Sequence, residues 1–286
     1  MAGEFFPLEA IDRFRAAYPQ RPALLAHRLV GHPLLELDAL AALTERLPAR
    51  EVEYNAADLP IGVAGEAPSN GLSAAETILT IEANSSWMVL KRVEQDPAYR
   101  ELLHATLGEL CETVAAVTGD MLHLEAFIFI SSPNAVTPIH YDPEYNILMQ
   151  IRGHKTMTVF PADDREIKTP RFEEQYHAGG PRNLPWCESF VPRGRAFNIA
   201  SGEAIYVPVG APHWVRNGPA TSISFSITWR SRWSFDEADA HGFNRHLRKL
   251  GIEPAPPNVF PRGNLIKALA HRGIRKAARV LDRKSG

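Results

Sequence analysis

Apolar positions along the chain change period near residue 119. Before it they recur every three or four residues, the spacing that lines up one face of an α-helix. Leu37, Leu40, Leu43 and Leu47 form one such stripe. Ser73-Ala-Ala-Glu76 reads as a capping box, in which the Ser and Glu side chains satisfy each other's free amides at a helix start. Asp96-Pro97 joins a capping residue to a proline at the first turn. The stripe behind it, Leu103, Leu107, Leu110, Val114 and Val117, predicts one helix ending at Gly119. Cys111 falls on the apolar side of that helix and is expected to be a buried free thiol.

After Gly119 the period is two. Leu122, Leu124, Ala126, Ile128 and Ile130 alternate with His123, Glu125, Phe127 and Phe129. Strand-like runs continue at 145–151, 155–160, 195–200, 203–208, 213–217 and 221–229, and Arg152-Gly153 reads as a tight hairpin between two of them. Many short strands with little helix between them predict an antiparallel sandwich or jelly-roll barrel. The polar stretch 161–194 interrupts the pattern and is either a binding loop or a mobile one. The chain divides into a helical or mixed segment at 1–119, the barrel at 120–232 and a basic helical segment at 233–286. In the last, Leu265, Leu269 and Ile274 suggest an amphipathic helix, and the basic run from Arg262 to Lys284 reads as a solvated or docking face before a nucleic-acid arm.

Composition narrows the class only a little. The chain has 286 residues, 45% hydrophobic and 22% charged, the mix of a globular protein with a sizeable core. A net charge of −2 gives no pull towards nucleic acid or anionic membrane. Two cysteines, Cys111 and Cys187, support neither a disulfide framework nor a thiolate zinc site. The start, MAGEFFPLEA, lacks the pattern of a secretory signal, and no run approaches the roughly 18 apolar residues that span a bilayer. A cytoplasmic protein with no membrane partner is the expectation.

The chemistry sits in two places. His140-Tyr-Asp142 presents two ligand types on one face of an extended segment, because successive side chains alternate. Some seventy residues on, Gly202-(x5)-Pro208-Val-Gly210-Ala-Pro-His213 offers a second imidazole behind small and rigid residues that allow a close turn. Two histidines and one carboxylate leave one side of a metal open, the arrangement that suits Fe(II) with a chelating acid and dioxygen. Lys155 puts a cation inside the barrel, which is costly without a partner. The distal carboxylate of an acid chelated to the metal would supply that partner. Thr137 and Asn146 are placed to add hydrogen bonds or to serve only as turn and strand residues. The other histidines show no spacing for a second metal, His154 reads as a solvated turn residue, and Trp214 as core or cover.

The stretch Thr137-Pro-Ile-His140-Tyr-Asp142 through Asn146, Gln150-Ile-Arg-Gly153-His-Lys155 and Val159-Phe160-Pro161 resembles the cupin-like JmjC oxygenases. Within them the likeness is closest to the asparaginyl hydroxylase that inhibits hypoxia-inducible factor. The segment around His213 is similar to the second cupin motif, and the likeness runs over about residues 120–232. The resemblance implies a mostly β fold, a double-stranded β-helix (jelly-roll) barrel with flanking α-helices, binding Fe(II) and the cosubstrate 2-oxoglutarate. It implies His140, Asp142 and His213 as metal ligands, Lys155 and Thr137 as partners of the distal carboxylate, and Asn146 as a further cosubstrate contact. Trp229 matches a tryptophan near the substrate mouth. One departure is Ile227, where that hydroxylase has an asparagine two residues before its tryptophan. The activity implied is a dioxygenase hydroxylating a C–H bond of a protein or peptide side chain or of a small metabolite. The resemblance also suggests a homodimer through the C-terminal helices. The alternatives are a cupin-fold metal enzyme that does not use 2-oxoglutarate, for which Lys155 has no task, and a non-catalytic jelly-roll regulator.

Overall fold

The computed structural model describes residues 3–56 and 69–285. Two antiparallel sheets face each other. The first runs β1 (Ala23–Ala26), β9 (Glu203–Val207), β6 (Tyr145–Arg152), β11 (Ser222–Arg230), β4 (Leu122–Ser131), β3 (Ser86–Leu90), β2 (Val52–Ala56). The second runs β5 (Val136–His140), β10 (His213–Asn217), β7 (His154–Val159), β8 (Arg195–Ala200). Three strands from the first ninety residues therefore extend the large sheet. The fold is the mostly β jelly-roll architecture, with flanking helices, that the alternation implies.

Between the sheets, Leu148, Ile205 and Val207 of the large sheet pack against Met157, Val159, Phe197, Ile199 and Val215 of the small one. The larger apolar cluster lies on the other face of the large sheet. There Ile147, Met149, Ile223, Phe225, Ile227 and Trp229 are covered by residues of α1 (Leu8–Ala17), α2 (Leu37–Thr44), α3 (Ala74–Leu79), α4 (Pro97–Gly108) and α5 (Cys111–Thr118). As a consequence β11 is apolar outwards and polar inwards. Ser222, Ser224, Ser226 and Thr228 are all buried on the barrel side. They can stay there because they are hydrogen-bonded: Ser224 donates to Gln150 Oε1 at 2.7 Å and Ser226 to Asn146 Oδ1 at 2.8 Å.

The capping box at Ser73 and Glu76 and the Asp96 cap of α4 form as the sequence implies. Three other expectations are corrected. The helix after Pro97 stops at Gly108 and restarts at Cys111. Glu109, released at the break, accepts from the amides of Phe5 and Phe6 at 2.9 Å each. The restart keeps Leu110 and Val114 buried but turns Cys111 and Val117 to solvent.

Arg152-Gly153 is not a hairpin between paired strands, since β6 and β7 belong to opposite sheets. It is the corner where the chain crosses between them. Gly153 has φ +74°, and a Cβ there would lie 2.4 Å from the carbonyl oxygen of Thr221, so only glycine fits the corner. The stretch 161–194, finally, is not loop throughout. It contains α6 (Pro170–Tyr176) and a 3-10 turn at Glu188–Arg193. It also lies along the free edge of β5, where Leu184 N–H donates to Ile139 O at 2.9 Å and Asn183 bridges His140.

After the barrel, α7 (Arg232–Lys249) packs against α6 and against α8 (Leu265–Ser285). Ala268 of α8 is fully buried, and Arg272 bonds Asp236 and Asp239 of α7 at 2.5 and 2.6 Å. From Gly273 to Val280 every residue of α8 is exposed. Side chains beyond Val280, including those of Asp282, Arg283 and Lys284, lie outside the described residues. Among the described residues no helix is long and apolar enough to cross a membrane.

Candidate metal centre

His140 ends β5 and His213 begins β10. These strands are neighbours, and the two histidines are directly opposite each other. Their rings lie 4.3 Å apart, both buried. Asp142, two residues past β5, turns back so that its Oδ2 is 3.7 Å from Nε2 of His140 and 3.7 Å from Nε2 of His213. Among the described residues these three are the one group of metal-binding types whose ligand atoms all lie within 4.8 Å.

The protonation pattern follows from the neighbours. His140 Nδ1 is 2.8 Å from the carbonyl of Pro138, and His213 Nδ1 is 2.9 Å from that of Ala211. A carbonyl only accepts, so each Nδ1 carries a hydrogen and Nε2 is the ring nitrogen that faces Asp142. Such outer hydrogen bonds fix the tautomer of metal-binding imidazoles. Burial, then the positions of His213 and Arg182, holds the pKa of His140 well below the usual histidine range, so the ring stays neutral. Burial pushes Asp142 up, but His140, Arg182 and His213 outweigh it and keep its carboxyl below the ordinary value. Its other oxygen, Oδ1, takes a 3.4 Å contact from Arg182 of the 161–194 stretch. The result is two imidazole nitrogens and one carboxylate on a common point, a set that can hold a divalent cation with one side open.

Thr137 is three residues from His140, an odd spacing that would put it on the opposite face of a regular strand. The pairing shows otherwise. His140 faces His213 and Thr137 faces Val215, three residues on β5 against two on β10. That bulge, at Pro138, turns Thr137 to the barrel side with His140.

Lys155 on β7 pairs with Asn217, and Val159 of the same strand pairs with His213. Lys155 thus lies four residues deeper than the imidazoles, about 13 Å along the strand, and on the same inner face. It is 4% exposed. No hydrogen bond or ion pair of its ammonium occurs among the described residues, and burial pushes its pKa down to about 7. Asn217 beside it also has an amide oxygen without a hydrogen-bond partner among the described residues. Asn146 on β6 faces the interior from the opposite sheet, its oxygen held by Ser226.

Trp229 is a correction. It is fully buried and stacks on Tyr145 and Tyr206 against Phe14 and Tyr18, on the helix-covered face of the large sheet rather than the barrel side. Ile227 shares that outer face, so the departure there removes nothing from the barrel interior. The interior residue at this level is Thr228, opposite Asn146. Alternation alone could have shown that Trp229 and Thr228 face opposite ways.

With this geometry in view, comparison with known proteins places the chain. The Cupin-like domain family matches residues 67–234, more than half of the sequence. Among solved structures, an Escherichia coli ycfD structure covers 97% of this chain at 17% identity, with a TM-score of 0.53, and this chain covers 69% of that one. A second, of YcfD as a ribosomal oxygenase from Escherichia coli in complex with cobalt and 2-oxoglutarate, covers 91% at 15% identity with a TM-score of 0.50, and 62% of it is matched. At these identities the likeness is one of fold. This chain belongs to the family of cupin-like domain proteins.

Proposed function

We propose that this protein is an Fe(II)- and 2-oxoglutarate-dependent dioxygenase that hydroxylates a C–H bond. The observation that carries the reading is the pairing of an open-sided His140–Asp142–His213 set with a buried ammonium at Lys155, without a partner among the described residues, on the same barrel face. Either alone has other uses. Together they fit a metal and a diacid that chelates it at one end and reaches the lysine with the other. A charge-assisted bond of that kind is worth about 1.5–3 kcal/mol.

The residues present fit both groups. The two Nε2 lone pairs and Asp142 Oδ2 would hold the iron, with Arg182 keeping Oδ1 engaged. Lys155 and Thr137 would bind the distal carboxylate, and Asn146, whose oxygen is taken by Ser226, would offer its Nδ2 hydrogens to the same ligand. The bound iron would supply the redox chemistry that turns 2-oxoglutarate, dioxygen and a C–H bond into succinate, carbon dioxide and an alcohol. The chain's own part is to orient the acid, to keep the His140 imidazole neutral by burial, and to exclude water with the segment 161–194.

For the substrate we favour a protein or peptide side chain over a small metabolite. The fold neighbour that is a ribosomal oxygenase and the motif likeness to the asparaginyl hydroxylase both support that class. A second copy of this chain, met through the projecting end of α8, is the other partner we propose. The test is direct. Purified protein given Fe(II), ascorbate and 2-oxoglutarate is expected to form succinate slowly. With a true substrate it should add one oxygen, about 16 Da by mass, the outcome of cofactor-driven oxidation. Metal-loaded protein that forms no succinate defeats the reading.

A further inference from the structure

Behind the centre lies a second buried cluster with no part in the scheme above. Lys168 and Glu173 are both buried, their Nζ and Oε1 2.8 Å apart. His241 of α7 brings Nε2 to 3.5 Å from the same oxygen, and Arg165 lies 3.5 Å from Oε2. The ammonium of Lys168 sits 4.9 Å from the centre of the Tyr141 ring, the residue between His140 and Asp142. It also fills the space beside Gly210, where a Cβ would be only 2.8 Å from Nζ. Gly210 in turn donates its N–H to the carbonyl of Asp142 at 2.9 Å and stands three residues before His213.

One ammonium therefore touches both ligand-bearing segments at the point where they are joined. A buried Lys–Glu pair contributes little to folding on balance, because desolvation offsets the attraction. Stability is thus a poor account of one placed here. We propose that Lys168, anchored by Glu173, is a positioning residue for the metal centre: it pins the Tyr141 ring and the Gly210 turn, and so fixes Asp142 and His213 relative to each other. The inference rests on the metal-centre reading and deepens it. It also gives the segment 161–194 a further task, since Lys168 and Glu173 both come from it and Arg248 of α7 bonds the adjacent Glu174 at 2.7 Å. The ligand geometry is braced from α7 through α6.

The test uses Co(II) as the probe metal and reads both its affinity and its visible absorption band. Three full-length proteins are compared: wild type, Lys168→Met, and Lys168→Met/Glu173→Leu, the last removing the Glu173 carboxylate together with its cation. Loss of an outer partner of a metal site costs about 10- to 100-fold in affinity, and that rise in Kd with a displaced band is expected in both variants. The double variant is expected to keep the thermal midpoint near that of wild type, and it decides the matter if the single variant does not fold. A folded double variant with unchanged Kd and band overturns the proposal and leaves the cluster as packing. Wild type that takes up no Co(II) defeats the metal-centre reading itself, a result distinct from the first.

Discussion

Each histidine of the centre gives its Nδ1 hydrogen to a carbonyl two residues earlier, so Nε2 is the atom left to bind. His213→Ala is accordingly expected to abolish stoichiometric iron binding in a protein that still folds, as read by metal analysis and circular dichroism. A variant that keeps one iron contradicts the triad. Lys155→Ala should raise the Kd for 2-oxoglutarate about 10- to 150-fold and leave iron content unchanged, and equal loss of both would show the lysine serving the metal. The pH dependence follows from its burial. In the folded protein the ammonium is pushed down to about 7 from an ordinary 10.5. Between those values the unfolded chain holds a proton that the folded chain has lost. The folding penalty of Lys155 is therefore full below about pH 7 and fades as pH rises towards 10.5. A bound diacid favours the charged form, so binding above pH 7 must take up a proton. Calorimetry should show affinity falling by up to about tenfold per pH unit there, with the slope gone in Lys155→Met.

At the scale of the element, β11 and the β6–β7 corner carry the barrel. Ser226→Ala removes only the hydroxyl and strips Asn146 Oδ1 of its buried donor. A loss of about 1–3 kcal/mol in denaturant unfolding is expected, together with weaker 2-oxoglutarate binding. A stability change confined to the noise would mean that the serine row is not structurally coupled to Asn146. Gly153→Ala meets both a positive φ and the Thr221 carbonyl. It should cost at least about 1–3 kcal/mol, and a neutral outcome would show that the corner can relax.

For the whole molecule the unsupported part is the end of α8. A single helix of a dozen residues in water is marginal by itself, yet Gly273–Val280 is exposed throughout, with Ile274 and Val280 among its side chains. If a second copy covers it, light scattering should find a dimer, and a chain ended after Arg272 should be a monomer with unaltered Co(II) affinity. A monomeric full-length chain would refute the pairing.

Local features of this protein are written in its sequence. The runs at 195–200 and 213–217 are strands with those same bounds, the caps at Ser73 and Asp96 form, and the His-x-Asp spacing with the distant His213 does converge on one point. Each depends on residue type and on neighbours a few positions away, or on a ligand chemistry with few other uses. Tertiary structure decided the rest. Alternation in β11 says that its two faces differ, not which one is inside, and helices laid on the outer face reversed the usual choice and sent the serines inwards. The same covering put Trp229 in the core. The bulge that turns Thr137 inwards, the corner at Gly153 and the contact of Lys168 with Gly210 all depend on segments distant in sequence. Period and composition carry no information about such partners, because the energy that selects them arises only when the sheets and helices meet.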